Sequence, residues 1–121
     1  ESIELYNNGN LKRDFTYVDD IVESIARLVE KPPYKTEKEP AFQLFNIGNQ
    51  HPVDVISFVQ TIEKILNKKA SIINKPMQAG DVTITYSDTS ELESYIDFKP
   101  NTSLETGLKK FVDWYKNFYK F

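Results

Sequence analysis

The sequence contains no cysteine. That excludes a disulfide framework, a thiol nucleophile and a zinc knuckle, and it permits a reducing compartment. There is one histidine, His51, and with no second His or Cys it cannot found a metal cluster. The four glycines, at 9, 48, 80 and 107, are too far apart to build a G-x-x-G-x-x-G dinucleotide loop or a phosphate loop. No apolar run reaches the roughly 18 residues of a membrane span. No secretory signal pattern stands at the start. Basic residues are 13 Lys and 2 Arg, interspersed with acids, so no basic stripe is available for nucleic acid.

What is present suits one folded unit. The chain has 121 residues, 40% of them apolar and 27% charged, with 15 basic against 18 acidic side chains and a formal net charge of −3. That supports a core and argues against wholesale disorder. The length fits a single lobe over residues 1–121, too short for a two-domain nucleotide-binding enzyme. The chain opens on Glu1 rather than Met and enters an apolar segment at once, the pattern of a fragment or a processed product.

Residues 3–17 read as a β-hairpin, with Ile3 and Leu5 facing Phe15 and Tyr17 across Asn7-Asn8-Gly9-Asn10. Helical spacing of Ile21, Val22, Ile25, Leu28 and Val29 predicts a helix over 19–30, begun by Asp19 and Asp20 and stopped by Pro32-Pro33. An exposed loop over 31–41 precedes a short buried strand from Phe42 to Ile47. Pro52 is expected to open a second helix, with His51 at its cap and Val55, Val59, Ile62 and Leu66 as its stripe. Ala70 to Met77 reads as a strand, Gln78-Ala79-Gly80-Asp81 as a turn, and 82–87 as extended chain. Asp88 with Glu91, and Thr102 with Glu105, match capping boxes for two last helices. The final helix places Leu104, Leu108, Phe111, Tyr115 and Phe118 on one face, and Trp114 reads as packing. The expected class is α+β, a small lobe of short strands and about four helices, without a Rossmann sheet.

Tyr-x-x-x-Lys, a spacing that stacks two side chains one helical turn apart, occurs at Tyr34/Lys38 and Tyr95/Lys99. About one chance match is expected at this composition. The first pair follows two prolines in a loop, and Lys99 precedes Pro100, which disfavours helix. Both are rejected as catalytic pairs.

Five blocks in order carry a resemblance: RDFTYVDDI (Arg13–Ile21), FNIGN with PVDV (Phe45–Val55), MQAGDV (Met77–Val82), SDTSEL (Ser87–Leu92) and LETGLKKFVDWY (Leu104–Tyr115). Together they resemble the C-terminal, substrate-binding part of extended short-chain dehydrogenase/reductase nucleotide-sugar epimerases, most of all UDP-glucuronate 4-epimerases. Many relatives carry Arg where this chain has Gln78, and the glucuronate branch is like this chain. The resemblance implies that a missing N-terminal Rossmann domain holds NAD and supplies the catalytic Tyr and Lys. It implies that Arg13 contacts the diphosphate of a UDP-sugar and that Gln78 and Asp81 line the nucleotide site near the ribose. The chemistry agrees in kind: guanidinium matches phosphate oxygens, and an ionised aspartate accepts from paired hydroxyls.

In such an enzyme sugar carbon 4 is oxidised by NAD and reduced again on its other face, while the diphosphate stays fixed. This chain would then anchor the substrate and perform none of the redox chemistry, so the isolated chain is expected to be inactive. A cytoplasmic location and a place in surface (capsular) polysaccharide precursor synthesis are implied by the family alone. Asp14, Tyr17, Asp19 and Asp20 read as structural, Arg13 could instead pair with Asp14 or Asp19, and Gly107 inside a helix points to close packing. An apolar patch left by the missing domain is expected to drive self-association, which sedimentation at high concentration would test. Three other readings stay open: the lobe of a nucleotide-sugar dehydratase or decarboxylase, a stand-alone sugar-nucleotide or protein-interaction module, and a purely structural domain.

Overall fold

The Asn7-Asn8-Gly9-Asn10 segment does turn the chain, but not into a hairpin. In the computed structural model, which describes residues 2–34 and 41–120, strand β1 (Ser2–Tyr6) runs into a single 3-10 turn, Asn7–Gly9. Three successive residues there take positive φ, with Asn7 at 50°, Asn8 at 53° and Gly9 at 80°. A two-residue hairpin turn holds only two such residues. The third carries the chain past β1, and Leu5 and Leu11, on either side, are both buried. β1 therefore pairs in parallel with β4 (Ser71–Lys75), in a register running from Ser2 opposite Ser71 to Tyr6 opposite Lys75.

The strand after the turn, β2 (Lys12–Arg13), pairs antiparallel with β3 (Val53–Asp54), placing Arg13 opposite Val53. On its other side it meets residues 83–85: Lys12 N–H donates to the Thr83 carbonyl at 2.8 Å, and Thr85 N–H to the Lys12 carbonyl at 3.1 Å. β2 is thus the middle of a three-segment ribbon, although it is two residues long.

Among the described residues four helices complete the α+β arrangement: α1 (Val18–Glu30), α2 (Val55–Leu66), α3 (Ser90–Ile96) and α4 (Leu104–Tyr119). α1 starts where the acids Asp19 and Asp20 favour a helix N-terminus. α2 begins three residues after Pro52, because Val53 and Asp54 are drawn into β3. His51 therefore caps no helix; its ring Nδ1 lies 2.6 Å from the Asn49 carbonyl oxygen.

Neither predicted capping box forms. Asp88 accepts from Ser90 N–H and hydroxyl, a tighter local loop than reaching Glu91, and Thr89 becomes the cap residue of α3. Thr102 is engaged by Asp20, so Ser103 caps α4 by accepting from Thr106 N–H. Residues 41–47 form no strand. Phe42 and Leu44 stay exposed, since no described strand runs beside them to take their backbone groups, while Phe45 and Ile47 are half-buried, the Phe45 ring 4.9 Å from that of Tyr95.

The core is made by Leu5, Leu11, Leu92, Ile96, Leu108 and Val112. On α4 the buried pair is therefore Leu108 and Val112, one turn apart. Phe111, Tyr115 and Phe118, expected inside, are 49%, 41% and 64% exposed, because α2 covers only the adjoining face. Trp114 lies among these rings, 5.4 Å from Phe118. α1 likewise leaves Val18, Val22, Ile25 and Val29 open. Gly107 meets its expected close contact: a Cβ there would stand 3.1 Å from the Tyr17 ring at the entry to α1.

The end of α2 is tied to β4 through one carboxylate. Glu63 accepts from Lys69 Nζ at 2.6 Å and from Ala70 N–H at 2.8 Å. The Lys69 bond first, and then the Ala70 bond, hold its carboxyl below the ordinary range. A depressed folded-state pKa contributes stability above the unfolded value, and that contribution is lost as pH falls through the folded one. Glu63→Gln is therefore expected to be less stable than the parent near neutral pH and to match it at about pH 3. Urea unfolding at both pH values checks this, and an equal deficit at both would refute it.

Candidate functional site

Two of the three residues singled out from the sequence, Arg13 and Asp81, touch at one edge of the ribbon, and Gln78 heads the turn that Asp81 ends. Arg13 projects from β2 and donates from Nη2 to Asp81 Oδ1 at 2.6 Å, across 68 residues of chain. Its Nη1 donates to the Lys12 carbonyl at 2.9 Å. The side chains of Arg13 and Asp81 are 23% and 28% exposed, so the pair is shielded but reachable. Arg13 pairs with neither Asp14 nor Asp19; Asp19 faces Lys110 instead.

Asp81 closes the expected turn. Its N–H donates to the Gln78 carbonyl at 3.2 Å, and Gly80 takes φ +82°, a conformation that glycine adopts without a Cβ penalty. The same Oδ1 that receives Arg13 also accepts from Val82 N–H at 2.8 Å. Asp81 thus both stabilises its turn and orients the arginine. Gln78, at the head of the turn, is exposed. A guanidinium has five N–H donors, of which two are used here; the other three make no hydrogen bond to the described residues. The arrangement is a braced cation with donors to spare, beside an acceptor-only carboxylate.

Asp14 reads as structural from the sequence, but its partners beneath this edge are not foreseen there. Asp14, the next residue, donates its N–H to Thr85 Oγ1 at 3.0 Å. Its carboxylate accepts from Ser87 Oγ at 3.0 Å, Gln50 N–H at 3.1 Å and His51 N–H at 3.2 Å. A cleft of about 200 Å³ lies beside it, lined in part by Thr16, Gly48 and Tyr86. Proximity of Asp14 to Arg13 in sequence was the one available signal. Its partners come from two distant segments, which no spacing rule connects.

In the second Tyr-x-x-x-Lys pair the two side chains take different partners. Tyr95 donates its hydroxyl to the Lys31 carbonyl, while Lys99 pairs with Glu93 beyond the end of α3. Tyr34 is exposed, and Lys38 lies outside the described residues.

The family model for GDP-mannose 4,6 dehydratase matches residues 1–111. The chain belongs to that family. Within it, the chain is 46% identical to Protein CapI of Staphylococcus aureus, over 99% of this chain and 39% of that protein. It is 38% identical to a probable UDP-glucuronate 4-epimerase of Rhizobium meliloti, over 98% of this chain and 38% of that protein. Among solved structures it resembles UDP-glucuronic acid 4-epimerase from Bacillus cereus in complex with UDP-glucuronic acid and NAD, with a TM-score of 0.83 and 26% identity over 98% of this chain and 36% of that one. The chain thus spans about two fifths of the length of the curated relatives it matches. It corresponds to a C-terminal part of an extended short-chain dehydrogenase/reductase, with UDP-glucuronate 4-epimerases among its relatives and structural neighbours.

NAD accompanies the sugar nucleotide in that Bacillus cereus structure. The glycines of this family member do not fit it. Gly9 serves the 3-10 turn, Gly48 packs on Ser87, Gly80 makes the turn before Asp81, and Gly107 admits Tyr17. No two of them share a loop, so they build no glycine-rich dinucleotide cradle, and no redox step is assigned to them. No described group of three or more His, Asp or Glu residues suits a metal ion, and no described helix is long and apolar enough to cross a membrane.

Proposed function

We propose that this chain is the substrate-anchoring lobe of an NAD-dependent UDP-glucuronate 4-epimerase-like enzyme. Arg13 holds the diphosphate of the UDP-sugar, and Gln78 and Asp81 bind the nucleotide near its ribose. The observation that carries this reading is the 2.6 Å bond between Arg13 and Asp81. It fixes a partly shielded guanidinium while leaving most of its donors open, which suits a multi-oxygen anion. A nucleotide gripped at this edge stays in place while a 4-keto sugar turns over, and that division of labour is what an epimerase needs from a second lobe. The apolar faces that α1 and α4 leave open support a chain that works packed against a nucleotide-binding half. NAD, the catalytic tyrosine and the lysine belong, in this reading, to that half. Supply of an acidic sugar nucleotide to surface polysaccharide synthesis in the cytoplasm is part of the same proposal.

The test is product analysis. The full-length protein with NAD is expected to convert UDP-glucuronate to its carbon-4 epimer without loss of carbon dioxide or water, and the isolated chain to convert none. Release of carbon dioxide or of water would move the enzyme to the decarboxylase or dehydratase class. Turnover by the isolated chain would overturn the assignment of chemistry to the other half.

A further inference from the structure

The register of the segment carrying Asp81 against the strand carrying Arg13 rests on very little backbone. Only two main-chain hydrogen bonds join Lys12 to Thr83 and Thr85. A one-residue slip would turn Asp81 away and present a neighbour to the guanidinium instead. Something beyond those two bonds has to specify the alignment.

We infer that Asp14 is a positioning residue for the Arg13 site, setting the register that holds Arg13 and Asp81 together; this rests on the anchoring role proposed for Arg13. Asp14 grips the Asp81-bearing segment twice, through its N–H on Thr85 Oγ1 and its carboxylate on Ser87 Oγ. The same carboxylate binds the N–H groups of Gln50 and His51, so it has a fixed reference outside the ribbon. Gly48 makes the approach possible, since a Cβ there would collide with Ser87 Oγ and stand 3.0 Å from Asp14 Oδ2. The consequence reaches Arg13 through one atom. The Lys12 carbonyl accepts both Thr85 N–H and Arg13 Nη1, at 3.1 and 2.9 Å. If the segment slips, Asp81 Oδ1 therefore moves away from Nη2, and the Lys12 carbonyl that holds Nη1 loses its Thr85 partner.

The experiment is calorimetric titration of UDP into the full-length protein. Asp14→Asn and Ser87→Ala are each expected to weaken UDP binding about tenfold, because small displacements of a binding group are costly. Asp20→Asn, which loosens the α1–α4 junction away from the site, is expected to leave it within about twofold. On an Arg13→Ala background, Asp14→Asn and Ser87→Ala are expected to cause no further loss, since they act through Arg13. The inference is overturned if Ser87→Ala binds UDP like the parent, if Asp20→Asn loses as much, or if the losses persist without Arg13. Should Asp14→Asn fail to fold, Ser87→Ala decides alone. If Arg13→Ala itself binds UDP normally, the anchoring reading fails instead, and the two failures are thereby distinguished.

Discussion

Arg13→Ala in the full-length protein is expected to weaken UDP binding by about 10- to 150-fold. The figure follows from the roughly 1.5–3 kcal/mol of a hydrogen bond to a charged group, at about 1.4 kcal/mol per tenfold. Uridine, which lacks the diphosphate, should lose little, so the ratio of UDP to uridine affinity is the reading that matters. Arg13→Lys should fall between, because an ammonium keeps the charge but not the planar fork that takes two oxygens at once. The braced geometry sharpens this expectation. With Nη2 held by Asp81 and Nη1 by the Lys12 carbonyl, the guanidinium is already ordered before ligand arrives. Little side-chain entropy remains to be lost on binding, so its removal forfeits most of the contact. Titrations showing equal UDP affinity for the parent and Arg13→Ala would end the anchoring proposal and leave the pair as a structural bridge between β2 and the Gln78–Asp81 turn.

The second large effect concerns stability. Asp20, nearly buried at 8% exposure, accepts from Thr102 N–H and from Thr102 Oγ1, both at 2.9 Å. It joins the first turn of α1 to the entry of α4. Asp20→Ala removes two hydrogen bonds to a carboxylate and leaves a main-chain donor unmatched, a cost of about 3 kcal/mol. Taken locally, amide hydrogens in the first turns of α1 and α4 are expected to exchange on the order of 100-fold faster in the full-length variant. Thr102→Val, which keeps the main-chain bond, should show a smaller acceleration at the same amides. Exchange unchanged at both helix starts would mean that Asp20 is replaceable by water.

Much of this arrangement is legible in short stretches of the sequence. The helices over 18–30 and 55–66 follow from apolar spacing, the strand before Met77 from its β-branched run, and the turn ending at Asp81 from Gly80. These are local matters, decided within a few residues by periodicity and backbone preference. The hairpin failed for a physical reason. Asn-Gly signals that the chain turns, but its pairing partner depends on where Leu5 and Leu11 are buried, and β4 lies some 70 residues on. The Thr102 capping box failed likewise: Thr102 suits a cap by pattern, and a distant buried carboxylate displaced the local partner.

By itself, then, the amino-acid sequence determined the class of fold and a glycine spacing too wide for a G-x-x-G-x-x-G loop, and it nominated Arg13, Gln78 and Asp81 from two separate blocks. Only the tertiary structure decided that Arg13 and Asp81 touch, that Asp14 bonds to Thr85 and Ser87 on one segment and to Gln50 and His51 on another, and that α4 turns its aromatic face outward. Side-chain type and spacing act within a turn or two of the chain. A contact across 68 residues depends on the packing of everything between, and its register is settled by a few directional hydrogen bonds that leave no periodic trace in the sequence.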